Sequence, residues 1–231
     1  LTALGLGADL LVHYGHSCLV PMDPTNCLKV LYVFVDIQID ASHFIETIKI
    51  NFTVDTTLSL VSTIQFVTTL QVVGNKLISM GYKVTIPQSK PLSPGEILGC
   101  TSPVLNNVDV VIYLGDGRFH IEAAMIANPK LQAYKYDPYD KIFTKEYYDH
   151  IDMRHQRAKC IEDARKAKTF GIIMGTLGRQ GNPNVVDHLK KRLECSNKSA
   201  VIYLFSEVFP AKIDLLEGVD AFVQVACPRL S

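Results

Sequence analysis

The six cysteines are the residues of this 231-residue chain best suited to hold a metal or to act as nucleophiles. They are Cys18, Cys27, Cys100, Cys160, Cys195 and Cys227. They are widely scattered and form no Cys-x-x-Cys pair, a pattern that indicates a reducing compartment and not a disulfide scaffold. Spacing alone leaves two interpretations open. Either most of the cysteines are small, buried hydrophobic residues, or some of them come together from distant parts of the chain at one site.

Two glycine-rich segments, residues 115–117 and residues 175–181, each follow an apolar run. Glycine lets the backbone approach an anion closely, and a helix beginning after residue 181 would favour negative charge at its N-terminus. A nucleotide or carboxylate could therefore bind at 175–181, and Asp116 could hold a ribose or an amino group. Neither segment is a GxGxxG motif or a P-loop. From spacing alone, an ordinary strand-to-helix turn is favoured for 175–181 and equally supported for 115–117.

Cys100 and Cys227 each follow a segment that ends or redirects a regular element. Residues 93–96 (SPGE) are typical of a capping box, which predicts a short helical turn before Cys100. Cys227 ends a predicted central strand. Because Pro228 cannot continue the hydrogen-bonded ladder, the chain must turn there, which exposes the Cys227 sulfur at the edge where ligands bind. Taken alone, either cysteine is more typical of a structural residue.

His13, His16 and Cys18 form a third group of possible metal ligands. The two histidines lie three residues apart in a predicted loop, without a second ligand pair at zinc-site spacing. Histidines whose hydrogen bonds are satisfied within the loop are therefore the favoured interpretation.

Short apolar runs alternate with helical patterns, which predicts α/β units with parallel sheets and right-handed crossovers. The predicted strands are residues 9–12, 30–35, 58–64, 83–86, 108–114, 169–174, 200–205 and 219–225. A helical face over residues 66–77 ends before Gly81, and another helix begins at Pro183 with Asn182 as its N-cap. Residues 145–168 predict a long amphipathic helix that links two units.

The organisation and composition narrow the class of protein. We divide the chain into residues 1–55, 56–168 and 169–231. Lysine and arginine equal aspartate and glutamate at 23 each, so no basic excess indicates nucleic acid as a partner. No apolar run reaches the ~18 residues of a membrane span, and the N-terminus has no signal-peptide pattern. Together with the cysteine pattern, these features predict a cytoplasmic protein without a membrane partner.

Several segments resemble the diphthamide synthase family of radical enzymes. They are residues 98–100 (LGC), 115–120 (GDGRFH) and 226–229 (ACPR), and also 9–18 (DLLVHYGHSC), 62–67 (STIQFV), 90–97 (KPLSPGEI), 125–129 (MIANP) and 175–181 (GTLGRQG). The resemblance runs nearly from end to end of the chain. It is therefore specific to the type of protein and not only to the fold.

The resemblance implies three small Rossmann-like units of common architecture, arranged around a central site, with the first unit incomplete. Each unit would donate one cysteine to a 4Fe-4S cluster, and Cys100 and Cys227 would be two of the ligands. The expected contacts of S-adenosylmethionine are Gly115, Asp116, Gly117, Arg179, Gln180 and Gly181. The implied activity is transfer of a 3-amino-3-carboxypropyl radical to a histidine of translation elongation factor 2. The implied partners are a related second subunit and a small iron protein that donates electrons.

One departure from the family concerns the first cluster cysteine, which the resemblance places ahead of residue 1. Cys18 has a counterpart in the family that is not a ligand. The chain is therefore expected to be truncated at both ends and inactive on its own. Two alternatives remain: a non-catalytic supporting subunit of the same complex, or a generic nucleotide-binding α/β domain without a cluster.

Overall fold

The computed structural model describes residues 2–15, 28–177 and 181–227. Its strands are β1 Leu10–Tyr14, β2 Lys29–Val33, β3 Thr57–Ser62, β4 Lys83–Thr85, β5 Val110–Leu114, β6 Gln132–Asp137, β7 Ile142–Glu146, β8 Thr169–Gly175, β9 Ser199–Phe205 and β10 Ala221–Val225. Its α-helices are α1 Thr2–Gly5, α2 Ala41–Asn51, α3 Val67–Ser79, α4 Phe119–Ala127, α5 His150–Arg165, α6 Pro183–Cys195 and α7 Pro210–Ile213.

The strands form sheets of five, three and two strands, with the orders β4-β3-β5-β6-β7, β10-β8-β9 and β1-β2. In the five-stranded sheet only β6 and β7 pair antiparallel, and both pairs of the three-stranded sheet are parallel. Helices separate most successive parallel strands along the chain, the exception being β4 and β5. The predicted α/β class with parallel sheets is therefore confirmed.

The chain divides into two compact units. The larger consists mainly of Leu31–His150 and the smaller mainly of Ile151–Ser231, and the first residues of the chain are shared between the two. The five-stranded sheet belongs to the larger unit and the three-stranded sheet to the smaller. The division into three domains at residues 55 and 168 stays a prediction.

The larger unit buries both faces of its sheet. Leu58 and Leu60 of β3 pack with α2 and α3 in one hydrophobic cluster, and Val61 packs with α4 in a second cluster on the opposite face. Because side chains alternate between the faces of a strand, a strand covered on both sides needs apolar residues at nearly every position. This accounts for the continuous apolar runs from which β3 and β5 were predicted.

The two units repeat one arrangement, in which the first strand lies between the second and the third: β4-β3-β5 in the larger unit and β9-β8-β10 in the smaller. An aspartate just before the third strand accepts hydrogen bonds from the start of the first. Asp109 accepts from the Thr57 amide at 2.9 Å. Asp220 accepts from the Lys168 and Thr169 amides at 2.8 and 2.9 Å. The same side-chain clamp thus joins equivalent strands in both units.

Three local predictions need correction. Residues 93–96 form a β-turn and not a helical turn, because Pro94 is followed by Gly95 at φ 85°, the geometry of a type II turn. The strand before Cys227, β10, is an edge strand of the described sheet, since β8 takes the centre. The charged helix α5 begins only at His150, because Lys145 and Glu146 belong to β7, and none of its residues is buried. Helix α2 and the hairpin of β6 and β7 were not predicted.

Within the described residues, no helix is both long and apolar enough to span a membrane.

Candidate functional site

Cys100 lies in a tight turn beside the carboxyl end of β3. The backbone of Ser62, the last residue of β3, is bridged to Glu96, and the amide of Ile97 donates to the Ser62 carbonyl at 3.0 Å. Leu98 and Thr101 then exchange two backbone hydrogen bonds of 3.2 Å, which leaves Gly99 and Cys100 at the tip. The thiol is free and exposed, so it is available to a metal.

The turn before Cys100 is held by a buried carboxylate. Glu96 is only 4% exposed, and one of its carboxylate oxygens accepts from the Ser93 amide at 3.0 Å. This is the reciprocal contact expected of a capping box, although no helix follows it. Gln71 of α3 also donates to the Pro94 carbonyl at 2.8 Å. The segment that leads to Cys100 is therefore tied to both the sheet and a helix.

The predicted ligand loop, residues 115–117, lies at the same edge of the sheet. It follows β5, whose last residue, Leu114, is in register with Ser62. The Gly115 amide donates to the Tyr136 carbonyl at 3.1 Å, and the buried Tyr113 hydroxyl donates to the Asp116 carbonyl at 3.2 Å. Gly117 has φ 65°, a backbone conformation that favours glycine.

Direct packing brings the Cys100 turn and this loop together. A Cβ atom on Gly99 would lie 1.8 Å from Cε1 of Phe119, the first residue of α4 after the loop. The ring of Phe119 thus occupies the space that any larger residue beside Cys100 would need. Cys100, Gly115, Asp116 and Gly117 therefore belong to one edge of the larger unit.

Arg118, which directly follows the loop, is held by three hydrogen-bond acceptors. Arg118 donates from Nε to Glu122 at 3.0 Å, from Nη1 to Glu146 and from Nη2 to the carbonyl of Tyr147 at 3.0 Å. Hydrogen bonding with Glu122, and then the charge of Glu146, raises the pKa of Arg118 above its usual value. Glu146 lies on β7, a strand that the sequence did not predict, so this contact escaped the sequence analysis.

The second predicted loop begins at the carboxyl end of β8 in the smaller unit. A Cβ atom on Gly181 would lie 1.9 Å from the Gly175 carbonyl oxygen, so only glycine fits this close approach of the two loop ends. Asn182 caps α6 as predicted, because its side chain accepts from the Asn184 amide at 2.9 Å. Arg179 and Gln180 lie outside the described residues.

Cys227 lies two residues beyond β10, at the same edge as this loop. The last residue of β10, Val225, is in register with Met174 of β8, which immediately precedes Gly175. The thiol of Cys227 is free and partly buried. Each unit thus presents one free cysteine beside a glycine-rich loop at the carboxyl edge of its parallel strands, where open α/β sheets bind ligands.

The other candidate ligands are less favourable. His13 contacts the ring of Tyr32, with 5.1 Å between centroids, while His16 and Cys18 lie outside the described residues. Among residues 2–15, 28–177 and 181–227, no group of three or more histidine, cysteine, aspartate or glutamate residues is placed to hold a metal ion. The exposed Cys160 and Cys195 lie in α5 and at the end of α6.

The chemistry of the two loop cysteines fits an iron–sulfur cluster. Such clusters are held by cysteine thiolates, and ligands supplied by separate loops need no Cys-x-x-Cys spacing. Cys100 and Cys227 are free thiols on short loops, so each could turn its sulfur toward a cluster without disturbing a helix or strand. We therefore retain them as the candidate cluster ligands.

Comparisons with known proteins give matches that extend over the whole chain. The family model of diphthamide synthesis proteins (Diphthamide_syn) matches residues 1–231. The protein named 2-(3-amino-3-carboxypropyl)histidine synthase subunit 1 of Nematostella vectensis is 60% identical over 230 residues, covering 100% of this chain and 49% of the relative. The human protein of that name is 57% identical over 232 residues and the Schizosaccharomyces pombe protein 52% over 238, covering 53% and 54% of the relatives and all of this chain. The chain spans about half the length of the curated relatives it matches.

Solved structures give a similar result. The crystal structure of Dph2 from Pyrococcus horikoshii with a 4Fe-4S cluster matches with a TM-score of 0.73 and 26% identity, covering 99% of this chain and 67% of that chain. A second structure of this Dph2 has the same TM-score and identity, with 66% of its chain covered. The family model over the whole chain and relatives more than half identical to it lead to one conclusion: the chain belongs to the diphthamide synthesis protein family.

Proposed function

We propose that this protein transfers the 3-amino-3-carboxypropyl group of S-adenosylmethionine to a histidine of translation elongation factor 2, the first step of diphthamide biosynthesis. In the balanced reaction, the bond between sulfur and the γ-carbon breaks and methylthioadenosine leaves. A bond forms from the γ-carbon to an imidazole carbon, which loses its proton. The observation that carries the proposal is one free cysteine beside a glycine-rich loop in each unit.

The cluster is part of the same proposal. Cys100 and Cys227 supply two of its thiolate ligands, and the related Dph2 structure that contains a 4Fe-4S cluster supports this assignment. A bound 4Fe-4S cluster would supply the single electron that breaks the carbon–sulfur bond, and one electron would return to it when the imidazole carbon loses its proton. The tight packing of Gly99 on Phe119 keeps the Cys100 loop in one place, which suits a ligand that must meet its metal at a fixed position.

The two loops contact the substrate. Gly115, Asp116 and Gly117 in the larger unit, and Arg179, Gln180 and Gly181 in the smaller, are the proposed contacts of S-adenosylmethionine. The glycines allow close backbone approach. Asp116 is the candidate partner of an amino or hydroxyl group. The N-terminus of α6 favours the negative charge of a carboxylate.

The proposed partners follow from the resemblance to the diphthamide synthase family and from the names of the relatives. The designation of the relatives as subunit 1 supports a complex with a second, related subunit. Elongation factor 2 is the protein substrate, a small iron protein donates the electrons, and the cytoplasm is the location. Three units of common architecture around the site remain part of the proposal. The repeated strand order and aspartate clamp of the two described units support it.

The first prediction tests the activity. The complete protein, prepared anaerobically with its partner subunit, is mixed with elongation factor 2, S-adenosylmethionine and dithionite, and the mass of elongation factor 2 is measured. We expect a gain equal to one 3-amino-3-carboxypropyl group. Cys100→Ala and Cys227→Ala should each abolish it, because loss of a ligand thiolate leaves an iron without its protein donor.

Cys160→Ala and Cys195→Ala are the matched controls, since both remove an exposed thiol from a helix and leave the loops intact. These variants should retain full transfer. If Cys100→Ala and Cys227→Ala also retain full transfer within the complex, the catalytic role belongs to another chain. This protein would then be the supporting subunit.

A further inference from the structure

Arg118 joins the candidate substrate loop to the hairpin of β6 and β7. It directly follows Gly117, and its guanidinium bonds to Glu122 of α4, Glu146 of β7 and the Tyr147 carbonyl. All of these groups belong to the larger unit. The arginine side chain is half exposed, whereas that of Glu146 is only 7% exposed. The end of the loop is therefore fixed on a buried carboxylate.

Glu146 is itself held in place. The hydroxyl of Thr144 donates to its second carboxylate oxygen at 2.5 Å, and the residue pairs with Ala133 across the antiparallel hairpin. The neighbouring strand β6 also anchors the loop, because its Tyr136 carbonyl accepts from the Gly115 amide. Both ends of the loop are thus attached to one hairpin, and Gly117, the last residue of the loop, has a left-handed backbone with φ 65° that few other residues would tolerate.

The charges around Arg118 argue against direct binding of a substrate carboxylate by this residue. An arginine beside a glycine-rich loop would ordinarily be a candidate to bind the carboxylate of a substrate. Here two carboxylates, Glu122 and Glu146, already surround a single guanidinium, so the group of three carries a net charge of −1. An approaching anion would meet negative charge, and the guanidinium would have to leave a buried partner to bind it.

We infer that Arg118 is a positioning residue that fixes residues 115–117 in the shape that binds S-adenosylmethionine, without contacting the substrate itself. The inference rests on the proposed function, because it assigns a role within the same loop. It also assigns a role to the hairpin of β6 and β7, because its Glu146 supplies the negative charge that holds the guanidinium of Arg118 in place.

The test compares three variants of the complete, cluster-containing protein. Arg118→Lys keeps the charge but loses the forked hydrogen bonding. Glu146→Gln keeps the size and one acceptor but loses the charge, and Glu122→Gln removes the exposed partner only. Affinity for S-adenosylmethionine is measured by calorimetry without reductant, and the melting temperature is measured on the same samples.

A positioning role predicts that Arg118→Lys and Glu146→Gln both weaken binding, by about tenfold, while Glu122→Gln changes it little. A direct contact with the substrate carboxylate predicts the opposite for Glu146→Gln, because release of Arg118 would leave the affinity unchanged or improved. That result would overturn the inference. So would unchanged affinity in Arg118→Lys, which is expected to fold because the residue is half exposed. If the unaltered protein fails to bind S-adenosylmethionine, the proposed function fails instead.

Discussion

At the scale of single residues, the contact between Gly99 and Phe119 determines how Cys100 is presented. A Cβ atom on Gly99 would lie between 1.8 and 2.5 Å from three atoms of the Phe119 ring. Phe119 is the first residue of α4 and its side chain is partly buried, so a shift of the ring would disturb its packing. The residue beside the candidate ligand must therefore be glycine for packing reasons, independently of any role in binding.

Gly99→Ala is predicted to destabilise the protein by about 1–3 kcal/mol, because the added methyl group overpacks the site. Urea denaturation measures the change. Gly5→Ala is the control, since a Cβ atom there meets nothing within 4 Å, and its effect should stay within about 0.5 kcal/mol. Equal stability of the two variants would mean that the turn carrying Cys100 is looser than described.

The sequence predicted where the candidate residues lie in the fold better than it predicted which residues they contact. Cys227 and both glycine-rich loops were expected at strand ends, and the described parts of these segments lie there, whereas Cys100 was expected after a helical turn and follows a β-turn. The contact of Gly99 with Phe119 and that of Arg118 with Glu146 could not be predicted, since each joins residues 20 or more positions apart. Only the three-dimensional fold brings such residues together.

At the scale of elements, the strands fall into a group that the sequence predicted and a group that it did not. Buried strands such as β3 and β8 have continuous apolar runs, which are easily recognised. Strands β6 and β7 mix Lys, Asp, Glu and Gln with aromatic residues, because they lie toward one side of the sheet and are only partly buried. Helix α5 was predicted too long because the charged residues of β7 resemble the polar face of a helix.

The aspartate clamp gives a prediction about pH. Hydrogen bonds from the amides of Thr169 and Lys168 lower the pKa of Asp220 below its usual 3.8. A carboxylate with a lowered pKa stabilises the folded state at pH values above the unfolded pKa. That stabilisation is lost as the pH falls through the folded pKa. Asp220→Ala should therefore be less stable than the unaltered protein at pH 7, and the difference should shrink below pH 3.8.

Denaturation measured between pH 7 and pH 3 tests this expectation. Glu217→Ala, which removes an exposed carboxylate from the same unit, is the control and should show a much smaller difference at pH 7. A stability difference for Asp220→Ala that stays constant down to pH 3 would show that the carboxylate charge does not contribute through the clamp.

At the scale of the whole molecule, two units present similar edges. In each, parallel strands end at a glycine-rich loop and a free cysteine, and one side-chain clamp joins the first and third strands. The α/β class could be predicted because apolar runs typical of buried strands alternate with helical patterns along the sequence. The family could be predicted from the segments around Cys100 and Cys227. How the units combine into one site stays a prediction, because short-range sequence patterns contain no information about contacts between units.

We propose that Cys100 and Cys227 hold a redox-active cluster that binds S-adenosylmethionine, and electron paramagnetic resonance detects such a cluster in its reduced state. The complete protein is purified anaerobically and reduced with dithionite, and its spectrum is recorded with and without S-adenosylmethionine. We predict the signal of a reduced 4Fe-4S cluster that changes when S-adenosylmethionine is added, and loss of that signal in both Cys100→Ala and Cys227→Ala. A signal of full intensity in either variant, or a spectrum that S-adenosylmethionine leaves unchanged, would show that these cysteines do not hold a cluster that binds S-adenosylmethionine.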